Sequence, residues 1–182
     1  MTLSLARLGL MGGAGALGKL ELIQTQTVTS AVSYVDFLDN LGTYKTHLLT
    51  FQNDVPSGSN PLSLRYYESG TLETAAVYEF VHQYIATSGG ESTDERGTAY
   101  GTPYMTANSG FPRNGYIYFH NLVNSSYYSY ASYHTVLDNQ TRYGFSMMKQ
   151  ASAVNGIRLL NNGAVGTITQ GDYSLYGFAT WV

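Results

Sequence analysis

Histidines and carboxylates are the first side chains in this sequence that could do chemistry. The four histidines are far apart, and none has a partner at the short spacing of a helical zinc site. They are His47, His82, His120 and His134. Two carboxylates could hydrolyse a glycosidic bond if they faced each other across a cleft, and elimination leaves Glu79 with Asp94 or Glu95. Neither pattern is specific, so we predict no catalytic residue, no metal site, no cofactor and no enzymatic activity.

Tyrosines are better candidates for a binding function, because they are abundant and clustered. The chain contains 17 tyrosines. The ligand-binding candidates are Tyr100, Tyr104, Tyr127, Tyr128, Tyr130 and Tyr133. Tyrosine with serine gives rigid contact area and adaptable hydrogen bonds, as in antibody paratopes, and aromatic faces also stack on sugar rings. Alternatively, these tyrosines pack the core or a subunit interface. Period two in a strand would put Tyr128 and Tyr130 on one face, and Tyr127 and Tyr133 on the other.

The first 18 residues have a composition of their own and carry a second set of candidates. Their leucines stand among glycine and alanine without helical spacing. They are Leu3, Leu5, Leu8, Leu10 and Leu17. Residues 13–18 match G-x-G-x-x-G, but no strand precedes them, which argues against a dinucleotide-binding loop. The segment is either a flexible leader or an arm anchored in a neighbouring protein, and we favour the arm. We therefore divide the chain into an anchoring arm, 1–18, and one domain, 19–182.

The composition excludes several classes of function. Charged residues make up 12% of the chain, about half of the usual share of roughly 25%. The net charge is -3 and the nine Lys and Arg residues are scattered, which excludes a nucleic-acid-binding surface. There is no cysteine for a disulfide or a thiolate metal site. No apolar run reaches the roughly 18 residues of a membrane span, so we expect no membrane insertion.

Alternating hydrophobicity predicts strands along most of the chain. Turn signals recur about every 8–12 residues, which is typical of sandwiches and jelly rolls. The predicted strands are 19–27, 31–37, 44–51, 62–67, 115–121, 127–136 and 142–150. Residues 75–86 fit either a helix or a strand, and the β context favours a strand. The polar run 88–98 is predicted to be an exposed loop. The expected fold is all-β, an antiparallel β-sandwich that is jelly-roll-like and carries a short N-terminal arm.

The end of the chain predicts a closing β-meander. Ile157, Leu159, Ile168 and Leu175 suit a pleated, half-buried surface. The segments 161–163 (Asn-Asn-Gly) and 170–172 (Gln-Gly-Asp) are turn signals, because Asn and Gly tolerate positive φ. We therefore expect the last strands to follow one another as neighbours in the same sheet.

Three groups of segments resemble a known family. The segments are 23–27 with 33–37, then 44–51 with 53–56 and 62–65, and finally 156–160 with 163–166 and 174–177. In these segments the chain resembles small β-sandwich virion proteins of tailed, often marine, bacteriophages, which are known as tail fibre, head fibre or decoration proteins. Members often carry an acidic Asp-Gly-Gly loop where this chain has 68–71 (Glu-Ser-Gly-Thr), so the resemblance gives that loop no ion or ligand role.

The resemblance implies a virion structural protein. We expect a small fibre, knob or decoration protein that is located in the virion, is attached to the capsid or tail by its arm, and assembles with itself as a homotrimer. The alternative is an adhesin module of a tail or head fibre that binds host surface polysaccharide through its tyrosines.

Overall fold

A computed structural model describes residues 19–38, 40–88, 93–97, 101–105, 110–161 and 166–179. The proposed arm, 1–18, lies outside these residues together with Leu3, Leu5, Leu8, Leu10 and Leu17, so its role stays a prediction. No helix in the described ranges has the length and apolar character needed to cross a bilayer.

The described chain consists of β-strands and one short 3₁₀ helix, Leu41–Thr43. The strands are β1 (Leu20–Val28), β2 (Tyr34–Leu38), β3 (Thr46–Pro56), β4 (Leu62–Glu68), β5 (Thr71–Leu72), β6 (Tyr78–Ala86), β7 (Thr93–Gly97), β8 (Gly101–Met105), β9 (Arg113–His120), β10 (Ser129–Leu137), β11 (Gln140–Met148), β12 (Val154–Asn161) and β13 (Ile168–Phe178).

The strands form two antiparallel sheets. The larger sheet has eight strands in the order β1-β13-β3-β9-β10-β11-β6-β7. The smaller sheet has five: β2-β12-β4-β5, with β8 also paired to β4. The two sheets pack against each other as a β-sandwich, which confirms the predicted fold class.

The alternation of side chains explains why these segments form a sandwich. In β10, Ala131, Tyr133, Thr135 and Leu137 are buried, whereas the residues that alternate with them are half-buried or exposed. β13 alternates in the same way over most of its length, with Tyr173 and Leu175 in the core. β10 and β13 therefore each have one face in the core and one toward solvent.

The predicted closing meander is wrong. β12 belongs to the small sheet, between β2 and β4, whereas β13 belongs to the large sheet, between β1 and β3. The chain crosses the sandwich between these strands instead of making a hairpin. Segment 170–172 is not a turn either, because it lies inside β13, where the register to β3 shifts on both sides of Gln170. Gly171 leaves room for the Tyr173 side chain, since a Cβ there would come within 2.6 Å of the Tyr173 Oη. The other signal, 161–163, runs into residues outside the described ranges.

The structure decides the conformation of two further segments. Tyr78–Ala86 is a strand, which confirms the preferred interpretation of 75–86. The loop predicted at 88–98 is wrong for Thr93–Gly97, because this charged segment pairs with β6 as the edge strand β7. Charged residues are common on edge strands, where they oppose pairing with other chains. A polar composition therefore did not distinguish a loop from an edge strand.

A buried polar network around Arg113 joins the two sheets. Arg113 on β9 donates from Nε to Asp54 Oδ2 on β3 at 2.5 Å, and both side chains are 0% exposed. Its Nη2 donates to Asn161 Oδ1 at the end of β12, 2.7 Å away. Tyr173 donates from Oη to the other oxygen of Asp54 at 2.6 Å. Burial and the Asp54 carboxylate raise the pKa of Tyr173, which keeps its hydroxyl protonated as a donor.

Candidate binding surface

The tyrosine candidates lie in different environments. Tyr127 and Tyr128 precede β10, and their side chains are 63% and 39% exposed. Tyr130 points outward and is half-buried, whereas Tyr133 points into the core and is 4% exposed. Tyr100 lies outside the described residues. Tyr104 lies on β8, whose side chains are not described. The core interpretation therefore holds for Tyr133, and the two loop tyrosines are available for contacts.

The outer face of the large sheet carries a wide apolar surface that we call the aromatic face. Outward side chains from seven of its strands contribute to it. Its members are Leu22, Leu48, Val81, Ile85, Tyr116, Tyr118, Tyr130, Val136, Tyr143, Phe145, Tyr176 and Phe178. Leu22, Val136 and Ile85 are about half exposed, at 58%, 50% and 49%. These strands are neighbours in the sheet, and pairs such as Phe145 with Val81 and Tyr118 with Leu48 lie directly opposite each other.

Ring contacts between strands fix much of this face. The Phe178 ring on β13 lies 6.0 Å from Tyr118 on β9, and Tyr118 lies 5.6 Å from Tyr116. Tyr116 in turn contacts the His134 ring on β10 at 5.7 Å. A second pair, Tyr130 and Phe145, stacks at 5.8 Å between β10 and β11. Rings held in this way lose little further conformational freedom on binding, which favours a contact role.

A shallow cavity opens on the same face between β6 and β11. It has a volume of about 320 Å³ and is lined by Val81, Gln83, Tyr143 and Phe145. Tyr143 Oη donates to Gln83 Oε1 at 2.7 Å and holds one wall. Gly144 lies beneath, and a Cβ there would come within 2.5 Å of the Tyr133 Oη from the core side. The cavity could accept one side chain or one edge of a small ring.

Charge is confined to the margins of the aromatic face, as far as the described side chains show. Lys149 and Glu79 form an exposed ion pair at one corner, with Nζ and Oε1 2.7 Å apart. The hydrogen bond to Glu79 raises the pKa of Lys149, and the nearby Tyr128 raises it further. Tyr128 lies by this corner, because it precedes Ser129, which pairs with Met148 next to Lys149. On β13, Asp172 accepts a hydrogen bond from Thr27 at 2.9 Å. The central part of the face suits an uncharged partner.

The structure describes some of the histidines and carboxylates that the sequence offered as candidates for metal binding or catalysis. Among the described residues, no three His, Asp or Glu side chains come close enough to hold a metal ion. Glu79 is paired with Lys149. The side chains of its candidate partners Asp94 and Glu95 are not described, so that pairing stays untested. His47 is buried, and desolvation lowers its pKa although its Nε2 donates to the Leu41 carbonyl at 3.0 Å.

Sequence reasoning missed most of the aromatic face. It selected tyrosines that are close in sequence, whereas the face joins residues from β9, β11 and β13 that are far apart in the chain. A usable signal was present in the alternation of Tyr116 with Tyr118 and of Tyr143 with Phe145. Hydrophobic residues at every second position, on what is the solvent side of a sheet, indicate a contact surface.

Comparisons with known proteins name no family. No family model matches the chain, and no curated protein matches it. Among solved structures it is similar to the galectin LEC-6 of Caenorhabditis elegans, at 12% identity and a TM-score of 0.38, covering 82% of this chain and 94% of that one. A protein of unknown function from Shewanella oneidensis has 11% identity and a TM-score of 0.23, covering 91% of this chain and 79% of that one. The botulinum neurotoxin serotype G binding domain has 10% identity and a TM-score of 0.23, covering 93% of this chain and 45% of that one. Scores this low carry no argument about function.

Proposed function

We propose that this chain is a virion structural protein of a tailed bacteriophage, a small fibre, knob or decoration protein. The resemblance of segments such as 44–51 and 156–160 to such proteins supports the proposal. In this proposal residues 1–18 attach the protein to the capsid or tail, and the sandwich is displayed and assembles with further copies. It acts by contact and without catalysis.

The aromatic face is the observation that carries the proposal. Soluble monomers rarely expose contiguous apolar patches of more than a few hundred Å². Seven neighbouring strands about 4.8 Å apart span about 29 Å, so the outer surface of the strands that carry the face, polar side chains included, covers roughly 700–900 Å². A stable interface buries about 800 Å² on each partner. A rigid, charge-poor face of this size fits a surface that is covered in an assembly.

Self-association is the contact that the charge distribution favours. Copies of the same face meet without like-charge repulsion when the charges lie only at the margins. We propose a homotrimer in which neighbouring copies bury at least part of the aromatic face.

The position in the particle can be tested with antibodies raised against the full chain. Immunogold electron microscopy of purified particles of the encoding phage should label one defined position on head or tail. A chain that is abundant in the lysate but missing from washed particles would contradict the proposal. Deletion of residues 1–18 should abolish incorporation while the melting curve of the sandwich is unchanged, and normal incorporation would refute the anchoring role.

The assembly state can be tested by sedimentation velocity. Phe145→Glu places a charge within the face, next to the Tyr130 ring, and should convert the oligomer to monomer. The matched control is Leu38→Glu, which places the same charge on an outward position of the small sheet, where Leu38 is 44% exposed. Equal behaviour of the two variants, or a monomeric parent protein, would contradict the self-association.

A second candidate function is adhesion to host glycan. It is favoured by Tyr127 and Tyr128, which are exposed at the margin of the aromatic face, and by polar groups on that face such as His134, whose Nε2 lies 2.7 Å from Thr141 Oγ1. A glycan array probed with the full chain should then show binding that disappears in Tyr127→Ala/Tyr128→Ala while the fold is kept. Binding that survives the double substitution would exclude these tyrosines.

A further inference from the structure

A cleft opens at the edge of the sandwich, and none of its lining residues belongs to the aromatic face. It lies where the chain passes from β1 in the large sheet to β2 in the small sheet, and its volume is about 340 Å³. Its polar lining comes from Gln26, Thr27, Thr29 and Ser30, and three valines supply apolar lining. Tyr34 and Asp36 of β2 complete it. This volume is at the lower end of the range for small-molecule sites, so it suits a single ring.

Tyr34 gives the cleft a fixed aromatic wall. Its side chain is 46% exposed, yet the Arg158 guanidinium carbon lies 3.4 Å from its ring centroid. Arg158 is itself immobilised, because its Nε and Nη2 donate to the two oxygens of Asp36, each at 2.7 Å. Tyr67 donates to the same carboxylate at 2.8 Å. The tyrosine ring is thus held in place from beneath without being covered, which is the condition for a stacking platform.

The polar groups of the cleft suit a polyhydroxylated ligand. Serine and threonine hydroxyls and the glutamine amide can each both donate and accept hydrogen bonds, as the hydroxyls of a sugar do. Gln26 already lies across the cleft, with its Nε2 donating to the Asp36 carbonyl at 3.4 Å. The apolar C–H face of a sugar ring carries partial positive charge, which is complementary to the negative face of an aromatic ring.

The electrostatics of the cleft select against a charged ligand. Asp36 is the carboxylate in the lining, and its charge is offset by Arg158 through two hydrogen bonds. An anionic group entering the cleft would meet Asp36, while the Arg158 fork is already engaged by that carboxylate. Burial and the hydrogen bond to Asp36 raise the pKa of Tyr67 to about 12, so its hydroxyl stays neutral at pH 7.

We propose that the cleft between β1 and β2 binds one neutral pyranose ring, stacked on Tyr34 and hydrogen-bonded by the hydroxyl and amide groups around it. This ligand is the terminal or an accessible residue of an uncharged glycan. The site is separate from the aromatic face and does not depend on the position of the protein in a particle.

Saturation-transfer NMR on the full chain tests the site, with a panel of neutral methyl hexopyranosides and one methyl uronide as probes. We expect transfer to the ring C–H protons of at least one neutral pyranoside. Tyr34→Ala should weaken its binding by at least about tenfold, equivalent to about 1.4 kcal/mol. Ser30→Tyr, which adds a bulky side chain at a lining position and keeps Tyr34 and Arg158, should have the same effect, so the result does not rest on one variant.

Tyr116→Ala is the matched control, because it removes a similarly exposed tyrosine from the aromatic face, where Tyr116 is 39% exposed. Its binding should equal that of the parent chain. Absence of transfer from every neutral pyranoside would overturn the proposal, and so would binding that survives both cleft variants. Loss of binding in Tyr116→Ala alone would show that the sugar binds at the aromatic face and not in the cleft. Preferential binding of the uronide would contradict the electrostatic argument.

Discussion

Replacing Arg113 by methionine should destabilise the sandwich more than any exposed charge substitution. The change keeps an unbranched apolar side chain but removes the guanidinium, which donates to Asp54, to Asn161 and, at 3.0 Å, to the Asn60 carbonyl. Asp54 would then remain as a carboxylate at 0% exposure without its cation. The Tyr173 hydroxyl, at 2.6 Å, would still donate to it but could not offset a full charge.

The expected loss follows from that burial. Removing one partner of a buried ion pair costs about 3–5 kcal/mol, because the remaining charge is left in a medium of low polarity. A domain of this size loses roughly 2–4 °C of melting temperature per kcal/mol, so Arg113→Met should melt about 6–20 °C lower. Total stabilities are only about 5–15 kcal/mol, so the variant would lose a large fraction of its stability.

The assay is urea unfolding followed by circular dichroism, with two companion variants. Lys149→Met breaks an ion pair whose side chains are 48% and 39% exposed, and it should leave the unfolding midpoint within error of the parent. The double variant Arg113→Met/Asp54→Asn also removes the unpaired buried charge, while the new amide oxygen at position 54 still accepts a hydrogen bond from Tyr173. The double variant should therefore recover part of the lost stability. If Arg113→Met and Lys149→Met shifted the midpoint equally, or if the double variant were the least stable, the reasoning would be refuted.

Three further predictions concern other parts of the fold. Burial lowers the pKa of His47 in the folded protein below its ordinary value of about 6.5. The neutral imidazole therefore contributes its full stability above about pH 6.5, and this contribution is lost as the pH falls through the pKa of the folded state. The urea midpoint should drop between neutral and acid pH, and His47→Gln should make this drop smaller. Gly177→Ala should cost about 1–3 kcal/mol, because its Cβ would come within 2.2 Å of the Tyr44 ring, whereas Gly42→Ala, with nothing within 4 Å, should be nearly neutral in the same titration. Arg158→Lys should lower the melting temperature slightly, since lysine cannot form the two-pronged contact with Asp36 or stack flat on Tyr34, and an unchanged temperature would show that the stack adds nothing to stability.

Much of the fold could be predicted because alternation is a local property. The alternating run around Tyr130 and Tyr133 marked a strand, and the spacing of such runs marked a sandwich. The two errors have a common origin. Segment 170–172 has the residues of a turn but lies in a bulge of β13, and 93–97 has the residues of a loop but pairs with β6. In both cases the partner strand, which is remote in sequence, decided the outcome.

The candidate surfaces were less predictable than the fold. Tyr133 was selected for its neighbours in sequence and is buried, whereas Tyr143 and Phe145 were passed over and are exposed at 42% and 38%. Alternation indicates that two residues face opposite ways but does not say which way is outward. That depends on the side on which the second sheet packs.

By itself, the sequence determined the β-character, the poverty of charge and the abundance of tyrosine, because these depend on composition and on near neighbours. The tertiary structure alone decided that β12 and β13 lie in different sheets, that Arg113 is buried with Asp54, and that Tyr34 lies over Arg158 beside a cleft. These arrangements join residues that are remote in sequence. Tyr34 and Arg158, for example, are 124 positions apart (158 − 34). The physical reason is that strand pairing and sheet packing depend on residues from the whole chain, because all strands bury their apolar side chains in the same core.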